Sequence, residues 1–176
     1  ENALQDLGIP VFHDDQHGTA VVTLAGLINA SKLLNKPLSE MKVVINGAGA
    51  AGIAIARLLR CVDHFNGDVC QPVKEIILCD TKGIIHCERT DLTDLKKSLL
   101  SFSNLSNIQG DVKEAIKGAD VFIGVSSANL LNRDDIATMN KDSIIFALAN
   151  PIPEIMPDEA KAGGAAIVGT GRSDLP

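Results

Sequence analysis

The spacing of three glycines constrains the fold of this 176-residue chain more than any other feature of its sequence. Gly47, Gly49 and Gly52 form the pattern G-x-G-x-x-G directly after a short apolar segment at 42–45. The segment that follows, 50–62, carries apolar residues at helical spacing. A strand, a glycine turn and a helix in this order are typical of a dinucleotide-binding βαβ unit. The sequence therefore predicts a domain that binds a dinucleotide at this turn.

Each glycine of the pattern has a separate role in such a turn. Gly47 allows the chain to turn tightly, Gly49 lets a pyrophosphate approach the backbone, and Gly52 lets the helix pack closely on the strand. The first backbone N–H groups of the helix lack intrahelical partners and lie at the positive end of its dipole, which attracts phosphate. The residues predicted to contact the cofactor here are Gly47, Gly49, Ala50, Ala51 and Gly52.

Apolar runs alternate with amphipathic segments along the rest of the chain. Runs of this kind, separated by helices, are typical of parallel strands covered on both faces. The pattern predicts strands at 11–12, 42–45, 75–79, 121–125, 143–148 and 165–168, with a hairpin-like continuation at 83–86. It predicts helices at 17–34, 50–62, 92–102, 111–117 and 133–139, and a helical turn at 158–162. The helix at 17–34 is apolar nearly all round and is expected to be largely buried. The predicted fold class is α/β, a doubly wound, mostly parallel sheet of the Rossmann type.

A carboxylate, Asp80, follows the second strand of the dinucleotide-binding unit. An acidic residue at this place accepts hydrogen bonds from the ribose hydroxyls of NAD and repels the 2′-phosphate of NADP. The separation from Gly52 exceeds the usual ~20 residues, and a polar loop at 63–72 accounts for the excess. We therefore predict NAD in preference to NADP, although Lys82 is close enough in sequence to soften the repulsion. The simpler interpretation of Asp80 is a turn-forming residue after a strand.

Two adjacent carboxylates, Asp14 and Asp15, stand between the predicted strand at 11–12 and the long helix at 17–34. Carboxylate oxygens are the ligands that hard divalent cations such as Mg²⁺ prefer. The pair is therefore a candidate metal site. A helix cap or an Asx-turn is the alternative interpretation of the same residues.

Polar residues also follow two later strands. Val125 ends the strand at 121–125 and Ser126 follows it, and both are predicted to line the nicotinamide half of the cofactor. Asn150, before Pro151, follows the strand at 143–148. This is the carboxyl edge of the sheet, where open α/β domains bind ligands. Asn before Pro is also a common turn signal.

The composition excludes several classes of partner. A net charge of −6 argues against binding to nucleic acid or to an anionic membrane, since such surfaces require clustered Lys and Arg. Aromatic residues make up only 3%, without Trp or Tyr, which removes most platforms on which bases stack. No apolar run is as long as a membrane span. The four cysteines form no C-x-x-C pair, which argues against a zinc ribbon. Cys61 falls in a predicted helix and Cys79 in a predicted strand, and we expect free, reduced thiols and a cytoplasmic location.

Taken together, these segments resemble the cofactor-binding domain of malic enzyme. The resemblance covers nearly the whole chain, and the segments that carry it are 9–20 (IPVFHDDQHGTA), 46–52 (NGAGAAG), Asp80, 124–126 (GVS), 146–151 (FALANP) and 169–176 (GTGRSDLP). The segments at 9–20 and 146–151 are far more specific than the glycines.

The resemblance implies oxidative decarboxylation of L-malate to pyruvate and CO₂, with NAD(P) and either Mn²⁺ or Mg²⁺. By similarity, Asp15 is a metal ligand, Asp14 supports that site, and Asn150 hydrogen-bonds the substrate carboxylate. The chemistry agrees, because a hard cation held by carboxylates can chelate the hydroxyl and the neighbouring carboxylate of malate. It also stabilises the enolate that loss of CO₂ leaves.

The same resemblance implies that part of the catalytic machinery lies elsewhere. The family uses a Tyr as general acid, and this chain contains no Tyr. The family's Lys general base and a Glu-Asp pair that completes the metal site lie upstream of the segments found here. We therefore expect residues 1–176 to be the NAD(P)-binding domain of a longer, two-domain enzyme, inactive alone, with the intact enzyme a homodimer.

Three alternatives stay open. The first is malolactic enzyme, a close relative that converts malate to lactate and CO₂ while retaining NAD. Another two-domain dehydrogenase, such as an amino-acid dehydrogenase, would not require Asp14 and Asp15 or depend on a metal. A non-catalytic nucleotide-binding module would bind NAD without any role for the acidic pair.

Overall fold

A six-stranded sheet forms the centre of the fold in the computed structural model, which describes residues 2–62 and 70–174. The strands are β1 (Lys42–Asn46), β2 (Glu75–Asp80), β3 (Gly83–Ile84), β4 (Val121–Gly124), β5 (Ile144–Ala147) and β6 (Ile167–Thr170). Their order is β3-β2-β1-β4-β5-β6. Every neighbouring pair is parallel except β2 and β3, which form an antiparallel hairpin. The predicted doubly wound, mostly parallel α/β sheet is confirmed.

Six α-helices accompany the sheet in the part of the chain that the structure describes. They are α1 (Thr19–Leu34), α2 (Ala50–Leu59), α3 (Asp94–Leu99), α4 (Val112–Ile116), α5 (Arg133–Ile136) and α6 (Pro157–Ala162). Shorter helical turns lie at Asn2–Leu7, Asp14–Gly18 and Leu38–Glu40. None of the helices described here has the length and apolar character needed to cross a membrane.

Strand alternation divides the core into two layers. In β1, the side chains of Val43 and Ile45 join the cluster that includes Leu27 of α1 and Ile55 of α2. Val44 points to the opposite face. There it joins the second cluster, whose members include Ile77, Ile116, Phe122, Ile136 and Ala160. Because both faces are covered, the central strands are apolar throughout and their carboxyl ends are the part of the sheet that is open to a ligand.

The strand order reverses at β1, which has β2 on one side and β4 on the other. Asn46, the last residue of β1, is in register with Cys79 of β2 and with Gly124 of β4. The three strands therefore end side by side. Ligands of open α/β sheets bind at this kind of topological switch point.

Two expectations are wrong: the strand at 11–12 and the large burial of the first long helix. Val11 and Phe12 form no strand in the structure, and the side chain of Phe12 is 67% exposed. Two apolar residues in a row are too few to fix a strand without a neighbour to pair with. The helix α1 is only half buried: Leu27 is covered, whereas Val22 is 72% exposed. One side of α1 packs in the core cluster with Ile55 of α2, whereas Val21, Val22 and Leu33 on its outer side are exposed.

The expectation that the cysteines are all reduced is also wrong. Cys61 and Cys70 form a disulfide, with their Cα atoms 6.1 Å apart. Cys61 follows α2 in a left-handed conformation, and the chain returns at Cys70 within the usual Cα separation for a disulfide. The spacing of the four cysteines does not indicate this loop closure. Cys79, buried in β2, and Cys87, exposed, are free. The polar loop predicted at 63–72 lies mostly outside the described residues.

Candidate functional site

A cleft of about 640 Å³ lies at the carboxyl ends of β1, β2 and β4. Five of the residues predicted to bind the cofactor line it: Gly47, Gly49, Asp80, Val125 and Ser126. Residues from outside the predicted set line it too, among them Asn46, Thr81, Lys96, Asp111 and Lys113. The fold thus brings the glycine turn, the acidic end of β2 and the loop after β4 to one place.

The glycine turn is shaped by close backbone contacts. Gly47 has a φ of +122°, and a Cβ atom there would lie 2.8 Å from the carbonyl oxygen of Val125. A Cβ atom on Gly52 would lie 1.7 Å from the carbonyl oxygen of Gly47, so only glycine allows α2 to approach the turn this closely. A Cβ atom on Gly49 would meet nothing within 4 Å. Gly49 therefore leaves open space over the backbone where a pyrophosphate can approach.

The amino end of α2 faces this turn. The helix begins at Ala50, and Gly49, the residue before it, offers no side chain to cap the first N–H groups. Ala50 and Ala51 lie in the first turn, whose N–H groups have no partner within the helix. With the helix dipole, they suit a phosphate group. The residues present therefore fit the pyrophosphate of a dinucleotide.

The carboxylate of Asp80 is already bonded on all sides. Its Oδ1 accepts the backbone N–H of Lys82 at 2.9 Å and Nη1 of Arg89 at 2.8 Å. Its Oδ2 accepts Nη2 of Arg89 at 3.1 Å and Nζ of Lys96 at 2.5 Å. A carboxylate has about four acceptor positions, and protein donors fill all of them. A ribose hydroxyl can therefore bond to Asp80 only where one of these donors gives way.

Two opposing effects set the pKa of Asp80. Burial, with only 8% of the side chain exposed, raises it, but the hydrogen bonds from Arg89 and Lys96 outweigh burial and lower the pKa to about 2. Asp91 belongs to the same network, since Arg89 also bonds it at 2.8 Å and Nζ of Lys82 pairs with it at 3.0 Å. Three cations, on Lys82, Arg89 and Lys96, thus face the two carboxylates of Asp80 and Asp91. These five side chains form a corner of the cleft with a net charge of +1. The negative corner that Asp80 alone predicted is absent.

The loop after β4 is held by three hydrogen bonds. The N–H of Val125 donates to the carbonyl of Asn46 at 2.9 Å, and the side-chain amide of Asn46 donates to the hydroxyl of Ser126. The N–H of Ser126 donates to Oε1 of Glu154 at 2.9 Å. Val125 and Ser126 therefore line the cleft in a fixed arrangement, and their contact with a nicotinamide stays a prediction.

The acidic pair lies in the helical turn Asp14–Gly18, which packs against α1 and α2. The carboxylate of Asp14 folds over Gly18, where a Cβ atom would lie 2.0 Å from its Oδ1. Asp15 is exposed, and neither Asp14 nor Asp15 lines the cleft. Mg²⁺ and Mn²⁺ take about six oxygen ligands, and within residues 2–62 and 70–174 no group of three or more His, Cys, Asp or Glu side chains is placed to hold a metal. The pair supplies suitable oxygens but only part of a coordination sphere.

Asn150 follows β5 in an exposed loop and precedes a cis peptide bond to Pro151. The loop is tied to the end of β6, because Nη1 of Arg172 donates to the carbonyl oxygen of Pro151. Arg172 is in turn paired with Asp174 through Nε at 2.8 Å. Asn150 is thus at the carboxyl edge of the sheet, as predicted, but outside the lining of the cleft.

A second hollow, of about 740 Å³, lies beside the carboxyl-terminal ends of α1 and α2. Apolar residues such as Leu24, Ile28 and Leu58 form much of its lining, which reaches Cys70 next to the undescribed segment 63–69. It contains none of the predicted site residues. The smaller cleft at the strand ends is therefore the candidate site.

Several residues of the site carry no signal in the sequence. Arg89 and Lys96 reach Asp80 from the segment after β3 and from α3, 9 and 16 residues further along the chain. Glu154 reaches Ser126 across 28 residues. Only the folded chain brings these pairs together. Asn46 is the exception, since it directly precedes the glycine pattern and could have been included on position alone.

The chain matches the family model described as malic enzyme, NAD binding domain, over residues 16–173. It is 52% identical to the bifunctional malic/malolactic enzyme of Bacillus subtilis, over 100% of this chain and 41% of that protein. It is 46% identical to the NADP-dependent malic enzyme of Rhizobium meliloti, over 97% of this chain and 21% of that protein.

A solved structure agrees with these sequence matches. The NAD-dependent malic enzyme of Thermotoga maritima superimposes with a TM-score of 0.89 at 44% identity, over 98% of this chain and 44% of that one. The chain thus spans less than half the length of each of these relatives.

Proposed function

The chain belongs to the malic enzyme family, as its NAD-binding domain, and we propose that it serves an intact enzyme that converts L-malate to pyruvate and CO₂ with reduction of NAD(P). The observation that carries the proposal is the glycine turn at the point where the strand order reverses, in a chain 52% identical to a malic/malolactic enzyme. The glycine turn supports the binding of a dinucleotide cofactor, and the relative supports malate as the substrate.

In this proposal the cofactor lies across the carboxyl ends of β1, β2 and β4. Gly47, Gly49 and Gly52 shape the turn, and the first N–H groups of α2, from Ala50 and Ala51, bind the pyrophosphate. Bound NAD(P) supplies the acceptor for the hydride that leaves C2 of malate. Val125 and Ser126 orient the nicotinamide, because they line the cleft beside the glycine turn in a loop held by hydrogen bonds.

We propose NAD as the cofactor, with NADP tolerated, because Asp80 follows β2 where a ribose-binding carboxylate is expected and can accept a ribose hydroxyl if Lys96 gives way. Arg89 and Lys96 neutralise the Asp80 carboxylate, so this corner does not repel a 2′-phosphate as a lone carboxylate would. Relatives named as NAD-dependent and as NADP-dependent both align with this chain at more than 40% identity. The choice between the two cofactors depends on how easily Lys96 leaves Asp80.

The helical turn Asp14–Gly18, called the acidic turn below, is proposed to contribute to a divalent metal site. Both side chains are exposed, but the carboxylate of Asp14 folds over Gly18. Asp15 is therefore proposed as the ligand and Asp14 as the residue that supports the turn. When bound, Mn²⁺ or Mg²⁺ supplies Lewis-acid stabilisation of the negative charge that develops on the substrate oxygen. Asn150 is proposed to donate its side-chain amide to a carboxylate of malate. The remaining ligands and the general acid and base lie outside this chain, which contains no Tyr.

A malolactic reaction is the second candidate, favoured by the name of the Bacillus subtilis relative, a bifunctional malic/malolactic enzyme. It would use the same glycine turn, the same acidic turn and Asn150. The difference lies in the fate of the hydride, which returns to the keto product and gives lactate. The cytoplasmic location and the homodimer of the intact enzyme stay predictions.

The test compares the intact enzyme with the isolated 176-residue chain. We expect the intact enzyme to consume L-malate in the presence of Mn²⁺ and to release pyruvate with NADH or NADPH. Lactate without free reduced cofactor would indicate the malolactic reaction. The isolated chain should bind NADH but show no turnover, since missing general acid and base groups typically contribute ~10²–10⁴-fold each. An intact enzyme that leaves malate unchanged, or an isolated chain that turns it over, contradicts the proposal.

A further inference from the structure

Glu154 is a buried carboxylate whose presence requires an explanation. Its residue is 0% exposed, and none of the ion pairs formed among residues 2–62 and 70–174 includes it. Burial raises its pKa, against hydrogen bonds from the backbone that lower it. Placing a carboxylate inside a protein is costly unless the fold uses its oxygens. The two oxygens of Glu154 are both used.

Each oxygen of Glu154 binds a different loop of the site. We define the β4 loop as residues 125–130 and the β5 loop as residues 148–153. Oε1 accepts the N–H of Ser126 in the β4 loop at 2.9 Å, and Oε2 accepts the N–H of Ala149 in the β5 loop at 3.1 Å. Ala149 directly precedes Asn150 in the sequence. One side chain thus spans the two loops that the proposed function assigns to the nicotinamide and to the substrate.

The backbone around Glu154 is arranged to keep it there. Its carbonyl oxygen accepts the N–H groups of Leu130 at 2.7 Å and Leu131 at 3.1 Å, which fixes the far end of the β4 loop. A Cβ atom on Gly124 would lie 2.2 Å from Cδ of Glu154. The last residue of β4 must therefore lack a side chain to leave room for this carboxylate.

We propose that Glu154 is a positioning residue that sets the distance between the β4 loop and the β5 loop, and so aligns the nicotinamide with the malate that Asn150 holds. The inference rests on the proposed function of both loops. Hydride transfer requires the reacting carbons to approach to about 3–3.5 Å, and a misplacement of ~1 Å can cost ~100-fold in rate. A rigid link between the two loops removes that freedom before the ligands bind.

The link requires two acceptor atoms, which distinguishes Glu from Gln. Gln keeps the shape of the side chain but has one acceptor oxygen, and its NH₂ group is a donor. In Glu154→Gln, one loop keeps its hydrogen bond and the N–H of the other faces a donor. Glu154→Asp keeps both acceptors but is one methylene shorter. The two variants therefore loosen the link in different ways.

The experiment measures malate consumption by the intact enzyme, which counts both the malic and the malolactic reaction. We expect Glu154→Gln to lower kcat at least tenfold and to raise the isotope effect on kcat for malate deuterated at C2, because hydride transfer becomes slower relative to other steps. Affinity for ADP-ribose, which lacks the nicotinamide, should stay within twofold. Glu159→Gln, an exposed change in α6 that removes the same charge, should match the unmodified enzyme.

Two results would overturn the inference. One is a Glu154→Gln enzyme with normal kcat and isotope effect. The other is a lowered kcat with an unchanged isotope effect and a smaller folded fraction, which means that Glu154 only supports the fold. If Glu154→Gln does not fold, Glu154→Asp takes its place, with the same rise in isotope effect expected and an unchanged value contradicting the inference. An unmodified enzyme that consumes no malate refutes the proposed function itself, which is a distinct outcome.

Discussion

Replacing Lys96 by Met should shift the cofactor preference of this chain towards NAD. Nζ of Lys96 lies 2.5 Å from Oδ2 of Asp80, and Lys96 lines the cleft where the ribose of a dinucleotide is proposed to bind. The change removes one of three cations from the corner and so takes its net charge from +1 to 0. It also frees one acceptor position of Asp80, while Arg89 and the N–H of Lys82 keep the carboxylate in place.

Both consequences favour NAD. Two unit charges 4 Å apart interact by ~4 kcal/mol at an effective dielectric of ~20, but the Lys96 side chain is 27% exposed and solvent screens part of this. A loss of ~1–2 kcal/mol for a 2′-phosphate is a reasonable magnitude, or about 5–30-fold in affinity for NADP. A new hydrogen bond from a ribose hydroxyl to Asp80 contributes ~0.5–1.5 kcal/mol to NAD binding. The two contributions sum to ~1.5–3.5 kcal/mol, so the ratio of the two affinities should change by ~10–400-fold.

The assay is a fluorescence titration with NADH and NADPH, which differ only in the 2′-phosphate. The chain contains no Trp and no Tyr, so the emission comes from the dinucleotide alone. Lys97→Met is the matched control, because Lys97 is the next residue in α3 but pairs with Asp94 on the exposed side. An unchanged ratio in Lys96→Met, or an equal shift in Lys97→Met, would refute the assignment of this corner to the ribose.

Three further predictions concern the glycine turn, the acidic turn and acid stability. Gly52→Ala places a Cβ atom 1.7 Å from a backbone oxygen, so it should lower the free energy of unfolding by more than ~2 kcal/mol and weaken NADH binding at least tenfold. In Gly49→Ala the added Cβ atom meets nothing within 4 Å, so this variant should weaken NADH binding at a stability cost of ~1 kcal/mol or less. Urea titrations and NADH binding isotherms measure the two effects. In the intact enzyme, Asp15→Ala should raise the Mn²⁺ concentration for half-maximal malate oxidation at least tenfold and leave NADH affinity within twofold; normal metal dependence would mean that Asp15 only supports the turn. Asp120→Asn should cost ~1.5–3 kcal/mol of unfolding free energy at pH 7, because it removes the charge that accepts hydrogen bonds from Lys36, the N–H of Lys42 and Asn140. These hydrogen bonds outweigh burial and lower the pKa of Asp120, so the stabilisation is complete above the pKa of an unfolded Asp, ~3.9, and is lost as the pH falls through the lower folded value. The difference in stability between the two proteins should therefore narrow in urea titrations at pH 3.

Local signals in the sequence predicted the parts of the site that depend on backbone conformation. The glycine turn, the end of β2 at Asp80 and the loop of Val125 and Ser126 follow from strands, turns and a helix that are each coded by neighbouring residues. Their arrangement at one edge then follows from the parallel sheet. The family match over residues 16–173 agrees with the resemblance that these segments carry.

What the sequence did not predict depends on contacts between distant segments. The position of Asp80 was correct, yet its pairing with Arg89 and Lys96 reverses the charge expected at that corner. The disulfide between Cys61 and Cys70 depends on how a loop returns to α2. The same applies to Glu154, whose two partners come from separate loops. Side-chain chemistry of this kind is fixed by packing, which periodicity does not encode.

The place of β1 between β2 and β4 has a consequence for how the protein is made. The glycine turn follows β1 directly, but Gly47 packs against Val125, which lies beyond β4. About 75 residues separate the end of β1 from the start of β4. At ~5–20 residues per second, a ribosome needs about 4–15 s to make them. For most of that interval the nascent chain carries the complete glycine pattern but lacks Val125 and Ser126, which line the cleft after β4, so cofactor capture has to wait for β4.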